Sequence, residues 1–219
     1  MSPQAIHERL KQFEEAGLIN ACEIENVLWV TDSSFPFAEA AKSAESLHVH
    51  VKVDDTAQLP RQQFIDWGAQ VENEKEGFVK FVYPEGVNMI FSSIPVSQEE
   101  LAEEACSRRR RPFLDHVGID IRQENDETKS VFERIPCDAQ SRNWQVASQG
   151  GDDQPVYCCH VEVGRKHWVY PAEDAKHRAP LEFALGPLKV NAEASGCDLR
   201  PANPYTHPDA ANQTPCCGG

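Results

Sequence analysis

The sequence predicts an α+β fold made of two copies of one βαβββ module, and three observations predict it. First, His48-Val49-His50-Val51-Lys52-Val53 recurs as His116-Val117-Gly118-Ile119-Asp120-Ile121. Second, Phe81-Val82-Tyr83-Pro84 recurs as Trp168-Val169-Tyr170-Pro171, and Asn88-Met89-Ile90-Phe91 has a partner in Pro180-Leu181-Glu182-Phe183. Third, both copies keep one order: a histidine-started strand, a Val-Tyr-Pro strand, then a last apolar strand. Such an internal repeat constrains architecture more than any single motif, because corresponding positions occupy corresponding places in space.

The elements follow in chain order. Ser2-Pro3 is an N-cap followed by proline at the first helical position, Ile6, Leu10 and Phe13 recur at helical spacing, and Gly17 closes the helix. Val27 to Val30 reads as a strand and Phe37 to Ser46 as a short helix. In the first copy Leu47 to Val53 is a strand and Pro60 to Trp67 a helix. Strands follow at Gln70 to Glu74, Phe78 to Tyr83 and Asn88 to Ser93, with a tight turn at Pro84-Glu85-Gly86. Ser97-Gln98-Glu99-Glu100 is a capping box. Its helix is acidic at the start and ends in Arg108 to Arg111, which suits the macrodipole at both ends. In the second copy Leu114 to Ile121 is a strand and Asp126 to Ile135 a helix ended by Pro136. Asn143 to Ser148 is an additional strand, Val156 to Val163 and His167 to Tyr170 form a hairpin, and Leu181 to Leu185 is the last strand. The expected organisation is a helical extension (1–46), a first module (47–97), a linker helix (98–112), a second module (113–190) and a flexible Cys-ended tail (191–219).

Composition bounds the function. Across 219 residues the net charge is −14, which argues against nucleic acid or an anionic membrane as a partner, since phosphate contacts need clustered Lys and Arg. The one arginine run is explained as a helix C-terminus. No apolar run is long enough to span a membrane, and the N-terminus lacks a charged-then-apolar signal pattern, so a cytoplasmic protein is expected. The eight cysteines are not spaced as a small disulfide scaffold and are expected to be mostly reduced thiols.

Strand alternation sorts the side chains into two faces. Val49, Val51 and Val53 oppose His48, His50 and Lys52. Val117, Ile119 and Ile121 oppose His116, Gly118 and Asp120, and Leu181, Phe183 and Leu185 oppose Glu182 and Ala184. On Val156 to Val163, residues Cys158, His160 and Glu162 share a face. Each module thus has an apolar face for its own helix and a mixed face with a histidine or a carboxylate. Two mixed faces side by side would enclose a polar cleft.

Paired βαβββ modules, with Leu114-Asp115-His116-Val117-Gly118-Ile119 on one strand and Leu181-Glu182-Phe183 on the last, resemble the vicinal oxygen chelate superfamily over residues 47 to 190. That superfamily includes glyoxalase I, extradiol dioxygenases, fosfomycin- and bleomycin-resistance proteins, and related lyases and epimerases. The resemblance implies a metal-binding cleft with one ligand from the first and one from the last strand of each module. The matching positions are His48, His116 and Glu182; the fourth falls on Ile90, or Phe91 if the register slips, and neither binds metal. Two histidines and one carboxylate resemble the extradiol dioxygenase arrangement, a triad that leaves sites open on Fe(II) for substrate and dioxygen. The resemblance therefore implies a divalent metal, Fe(II) foremost with Mn, Ni or Zn as alternatives, and a small-molecule substrate. A homodimer is left open. His50 could replace His48 as a ligand or act as an acid/base group, and His160 could be an acid/base group or a donor behind the metal. Each of these histidines has a plain alternative as a hydrogen-bonded residue of a mixed strand face. The competing functions are a non-redox lyase or isomerase on the same fold, and a non-enzymatic binding or resistance protein whose Cys216 and Cys217 capture a soft metal or metalloid. Cys158 and Cys159, adjacent on a strand, face opposite ways and read as structural.

Overall fold

The computed structural model describes residues 2–93, 111–121, 125–150, 156–158, 161–172, 178–186 and 189–190, with 156–158, 161–163 and 189–190 described by backbone alone. The expected linker helix, His160, Cys159, Cys216 and Cys217 lie outside the described residues.

Three helices precede the first strand. Helix α1 (Pro3–Glu15) is capped by Ser2, whose side chain accepts from the Ala5 N–H, and buries Ile6, Leu10 and Phe13. Helix α2 (Ala21–Val30) occupies the segment expected to hold a strand. The signal for it is in the sequence. Asn20 and Glu23 form a capping box, and the buried Ile24, Val27 and Val30 recur every three residues. The apolar Val27-Leu28-Trp29-Val30 run at its end suits a strand, but burial of one helical face overrides that local preference. Helix α3 (Ala38–Ser43) is short.

The first module consists of β1 (Ser46–Lys52), α4 (Arg61–Asp66), β2 (Gln70–Lys75), β3 (Phe78–Val82) and β4 (Val87–Ser92). The second consists of β5 (Phe113–Ile121), α5 (Asp126–Gln140), β6 (Gln145–Gly150), β9 (Arg165–Tyr170) and β10 (Leu181–Leu185). Among the described residues these strands form one eight-stranded sheet in the order β2-β3-β4-β1-β5-β10-β9-β6. Strands β1 and β5 meet antiparallel at its centre, and each has the last strand of its own module parallel on its other side. The two halves read outward in the same sense, first strand, last strand, third, second, so the sheet is pseudo-symmetric about the β1–β5 seam.

Three further expectations need correcting. Helix α5 runs through Pro136 to Gln140 rather than ending before it. Proline in a helix interior costs about 3 kcal/mol, but the extra turn places Ala139 in the core, where its carbonyl accepts from the Trp144 N–H at 3.0 Å. The segment taken as additional, Asn143 to Ser148, lies largely in β6 and is the second strand of the module. The insertion is instead the hairpin β7 (Val156–Cys158) and β8 (Val161–Val163), which with β11 (Lys189–Val190) makes a separate three-stranded sheet. The Val-Tyr-Pro match is also one residue out of register. Phe81 pairs with Met89 across β3 and β4, and Val169 pairs with Leu181 across β9 and β10, so Phe81 corresponds to Val169 and Lys80 to Trp168. A slip of one residue moves a side chain to the other face. Accordingly Phe81, Tyr83 and Val169 belong to the hydrophobic core, while Trp168 and Tyr170 are buried outside it.

The core lies between one face of the sheet and the helices. Val49, Val51, Met89, Phe91, Val117, Ile119, Leu181 and Phe183 supply the sheet side, all essentially without exposure. Phe13, Phe64 and Phe91 pack ring against ring at 5.1–5.9 Å. The opposite face carries His48, His50, Lys52, Asn88, Ile90, Ser92, His116, Asp120, Lys166, Trp168 and Glu182, the chemistry-bearing set. Among the described residues no helix is long and apolar enough to cross a membrane.

Candidate metal centre

Strand pairing at the seam brings the polar face together. His48 lies directly opposite Gly118, His50 opposite His116, and Glu182 is paired with Gly118 from the other side. The His48 ring occupies the space over Gly118: a Cβ there would lie 1.9 Å from the His48 Cε1. Glycine at that strand position is what lets the imidazole cross the seam toward β10.

Three donor atoms converge. His48 Nε2 and His116 Nε2 are 3.3 Å apart, and Glu182 Oε2 is 3.2 Å from His116 Nε2 and 3.6 Å from His48 Nε2. All three side chains are buried. Donors bound about 2.1 Å from one ion at angles of 90–120° sit roughly 3.0–3.6 Å from one another, so the cluster has the dimensions of a three-ligand metal site.

The groups behind these donors fit the same reading. His48 Nδ1 lies 3.0 Å from Asp120 Oδ1, and Asp120 Oδ2 accepts from the Ser46 hydroxyl at 3.0 Å. His116 Nδ1 lies 2.6 Å from Asp115 Oδ2. A carboxylate at each Nδ1 fixes the tautomer with hydrogen on that nitrogen, which turns each Nε2 lone pair into the site. Glu182 is held likewise: Lys166 Nζ donates to Oε1 at 2.8 Å, leaving Oε2 toward the histidines. Trp168 packs edge-on against the His116 ring at 4.9 Å, and its Nε1–H donates to Gln149 at 2.8 Å.

Asp115 should not be there on strict alternation, which puts it on the apolar face with Val117. The β1–β5 register shifts between His50 and Val51: His50 pairs with His116, but Val51 pairs with Leu114. Asp115 is the extra residue of a β-bulge, and the bulge turns it to the side of His116. Sequence reasoning therefore missed Asp115. It placed Asp120 on the correct face without a role, and it overlooked Lys166, which falls between the two segments read as a hairpin.

Electrostatics follow from burial among opposite charges. Burial presses the His48 pKa down, but the Asp120 and Glu182 carboxylates outweigh it and hold it at about 10. Burial raises the Asp120 and Glu182 pKa values, but the net shift of both is downward. His48 and Lys80 act on Asp120; Lys166, His116 and His48 act on Glu182. With both Nδ1 hydrogens committed to carboxylates, the contact between the two Nε2 atoms needs one further proton in the metal-free protein, and His48 is the group that carries it.

His50 faces the same way but does not reach the three-donor cluster. Its Nε2 is 2.7 Å from Ser92 Oγ, its Nδ1 is 4.0 Å from Asp115 Oδ2, and its ring stands 4.7 Å from that of His116. Burial, with the nearby Lys52 ammonium adding to it, holds its pKa well below the ordinary histidine value, so the ring is neutral. His50 with Asp115 and His116 forms a second group of potential ligands. Its shortest edge is the 2.6 Å contact already read as a hydrogen bond, and that contact occupies both partners. Ile90 pairs with His50 as Glu182 pairs with Gly118, which makes Ile90 the register counterpart of Glu182; Phe91 belongs to the core.

Two βαβββ modules thus meet at a central seam, with His48 and His116 on the first strands and Glu182 on a last strand. No protein-family model and no curated protein matches the chain. Solved structures similar to it include methylmalonyl-CoA epimerase from Mycobacterium tuberculosis, at 11% identity and TM-score 0.39 over 65% of this chain and 89% of that one. An extradiol ring-cleaving dioxygenase from B. fuscum is similar at 16% identity and TM-score 0.39, over 66% of this chain and 34% of that one, so this chain spans about a third of the dioxygenase. A hypothetical protein from Bacillus halodurans C-125 is similar at 13% identity and TM-score 0.40, over 67% of this chain and 96% of that one.

Proposed function

We propose that this chain is a metal-dependent enzyme of vicinal oxygen chelate type, with His48, His116 and Glu182 as the ligands of one divalent ion. The observation that carries the reading is the convergence of three donor atoms within 3.2–3.6 Å, each backed by its own charged partner. Two histidines and one carboxylate are the donor set of non-haem Fe(II) oxygenases, and the counterpart of Glu182 is the non-ligand Ile90. Fe(II) is therefore the favoured ion, and the favoured reaction is dioxygenation of a small oxygenated molecule. A divalent ion held there would supply Lewis acidity toward adjacent substrate oxygens and, as Fe(II), electrons for dioxygen chemistry.

The protein's own groups would do the rest. Asp120, Asp115 and Lys166 orient the three ligands. His50, neutral and bonded to Ser92, is placed to take or return a substrate proton. A roll of alternatives follows from the same donor set: Mn, Ni or Zn would serve a lyase or isomerase, and a protein that retains a ligand without turnover would be a binding or resistance protein.

The test is to load metal-free protein separately with Fe(II), Mn(II), Ni(II) and Zn(II). Catechols, 2-oxo acids and hemithioacetals are then screened with an oxygen electrode and product detection. Oxygen uptake with Fe(II) alone is the expected result; turnover with Zn(II) or Ni(II) and no oxygen uptake sinks the dioxygenase reading. Ile90→Glu sharpens the assignment, because a carboxylate as fourth ligand would retain the metal and close an open position, abolishing oxygen uptake.

A further inference from the structure

We propose that Glu23 and Asn26 of α2 are positioning residues that clamp the two second-module strands carrying His116 and Glu182; this rests on the metal-centre reading above. Helix α2 lies outside both modules, yet two of its side chains reach the backbone at the start of both ligand strands. Glu23 uses both oxygens: Oε2 accepts from the Asn20 N–H at 2.9 Å, closing the capping box, and Oε1 accepts from the Leu114 N–H at 2.7 Å. One turn on, the buried Asn26 donates from Nδ2 to the Cys22 carbonyl at 3.0 Å and accepts at Oδ1 from the Ala179 N–H at 2.9 Å. Spacing of three residues puts Glu23 and Asn26 on one helix face.

The two bonded amides are close to the donors. Leu114 directly precedes the bulge residue Asp115 and then His116. Ala179 precedes Glu182 by three residues, and between them the Val117 N–H donates to the Pro180 carbonyl at 3.0 Å, joining the strands at this end. Arg178 adds to the same junction, with its guanidinium 4.5 Å over the Trp29 ring of α2. Docking of α2 is accounted for by Ile24, Val27 and Val30, but apolar contact is non-directional and does not set the register of a strand start. Hydrogen bonds from two rigidly spaced side chains do. A metal constellation must be held within about 0.5 Å. The bulge that aims Asp115 at His116 is where a small shift of β5 would undo it.

The experiment uses the full chain with Co(II) as probe, reading affinity by chelator competition and coordination by visible absorption. In the metal-free protein, proton NMR reads the downfield signal of the His116 Nδ1–H bonded to Asp115. Asn20→Ala is the control, since it weakens the same helix start without removing either clamp. It should lower Tm yet keep the parent's Co(II) affinity, spectrum and imidazole signal. Glu23→Ala and Asn26→Ala should each weaken Co(II) binding about tenfold or more, the range for groups that orient ligands, and Glu23→Ala should lose the His116 signal. Asn26→Asp, which keeps an oxygen for the Ala179 N–H but loses the donor to the Cys22 carbonyl, should bind Co(II) more tightly than Asn26→Ala. Glu23→Ala and Asn26→Ala that bind like Asn20→Ala overturn the clamp, as does Asn26→Asp binding no better than Asn26→Ala. If Glu23→Ala fails to fold, the Asn26 pair decides. If the parent binds no Co(II), the metal reading fails by itself; the His116 signal then still decides the clamp, by its loss in Glu23→Ala or its retention there.

Discussion

The two halves of the sheet share one face and differ on the other. On the core side the pseudo-symmetric counterparts are alike: Val49 and Val117, Val51 and Ile119, Met89 and Leu181, Phe91 and Phe183. On the polar side they diverge. His48 corresponds to His116, but His50 corresponds to Gly118, Lys52 to Asp120, Lys80 to Trp168 and Ile90 to Glu182. The apolar face is constrained by close packing, which tolerates only residues of similar volume. The polar face is also buried, but there charge and hydrogen-bond partners, more than matched volume, decide which residue stands at each position. One half supplies one residue of the three-atom cluster and the other supplies two, together with the bulge that turns Asp115 to His116.

The sharpest way to break this comparison is to remove donors from each half. Ala at His48, His116 or Glu182 should abolish stoichiometric metal binding, whereas His50→Ala should retain it; metal analysis of the four proteins checks this. If His50→Ala loses the ion and His48→Ala keeps it, the first module's ligand has been misassigned. Next in size is the exchange at the seam. Gly118→Ala places a Cβ 1.9 Å from the His48 ring and should displace it, weakening metal binding by about 100-fold. His50→Gly, the change at the counterpart position, should leave affinity within a few-fold. Equal losses in titrations of the two proteins would show that Gly118 has no special role.

A smaller, graded effect comes from the proton on His48. Its folded pKa, about 10, is raised, so metal must displace one proton at every pH below that value. Apparent affinity should therefore rise ~tenfold per pH unit from neutrality toward pH 10 and then level; a flat profile across that range refutes the assignment. The smallest effect lies in the second half alone, at His167, stacked on Phe132 at 4.2 Å and bonded to Ser148 at 2.8 Å. Burial, then Arg165, depresses its pKa from 6.5 to about 4. The unfolded chain takes up this proton below pH 6.5 and the folded chain only below about 4, so stability should fall as pH drops through that window. His167→Gln should remove this part of the acid sensitivity, as read by denaturant titration at pH 7 and pH 4.5.

Several parts of this molecule were legible in the amino-acid order. The alternation of Val49, Val51 and Val53 with His48, His50 and Lys52 assigned the faces of β1, and the same period read Glu182 off β10. Pattern is enough there because strand side chains alternate strictly while pairing is regular. The capping box at Asn20 and Glu23 was equally legible but went unread, and the Val-Tyr-Pro identity suggested a register that the sheet does not use.

What only the tertiary structure decided lies where regular pairing fails or distant segments meet. The bulge at Asp115 depends on the partner strand, so no local pattern announces which face that residue takes. The vacated space above Gly118 matters only because His48, seventy positions earlier in rough terms, crosses the seam to fill it. The helical turn beyond Pro136, the separate hairpin of β7 and β8, and the bonds from α2 to Leu114 and Ala179 have the same origin. Alternation along one strand is a local property that the chain carries in its own order. The aim of a side chain into a shared site depends on its neighbours' register, which exists only once the strands have paired.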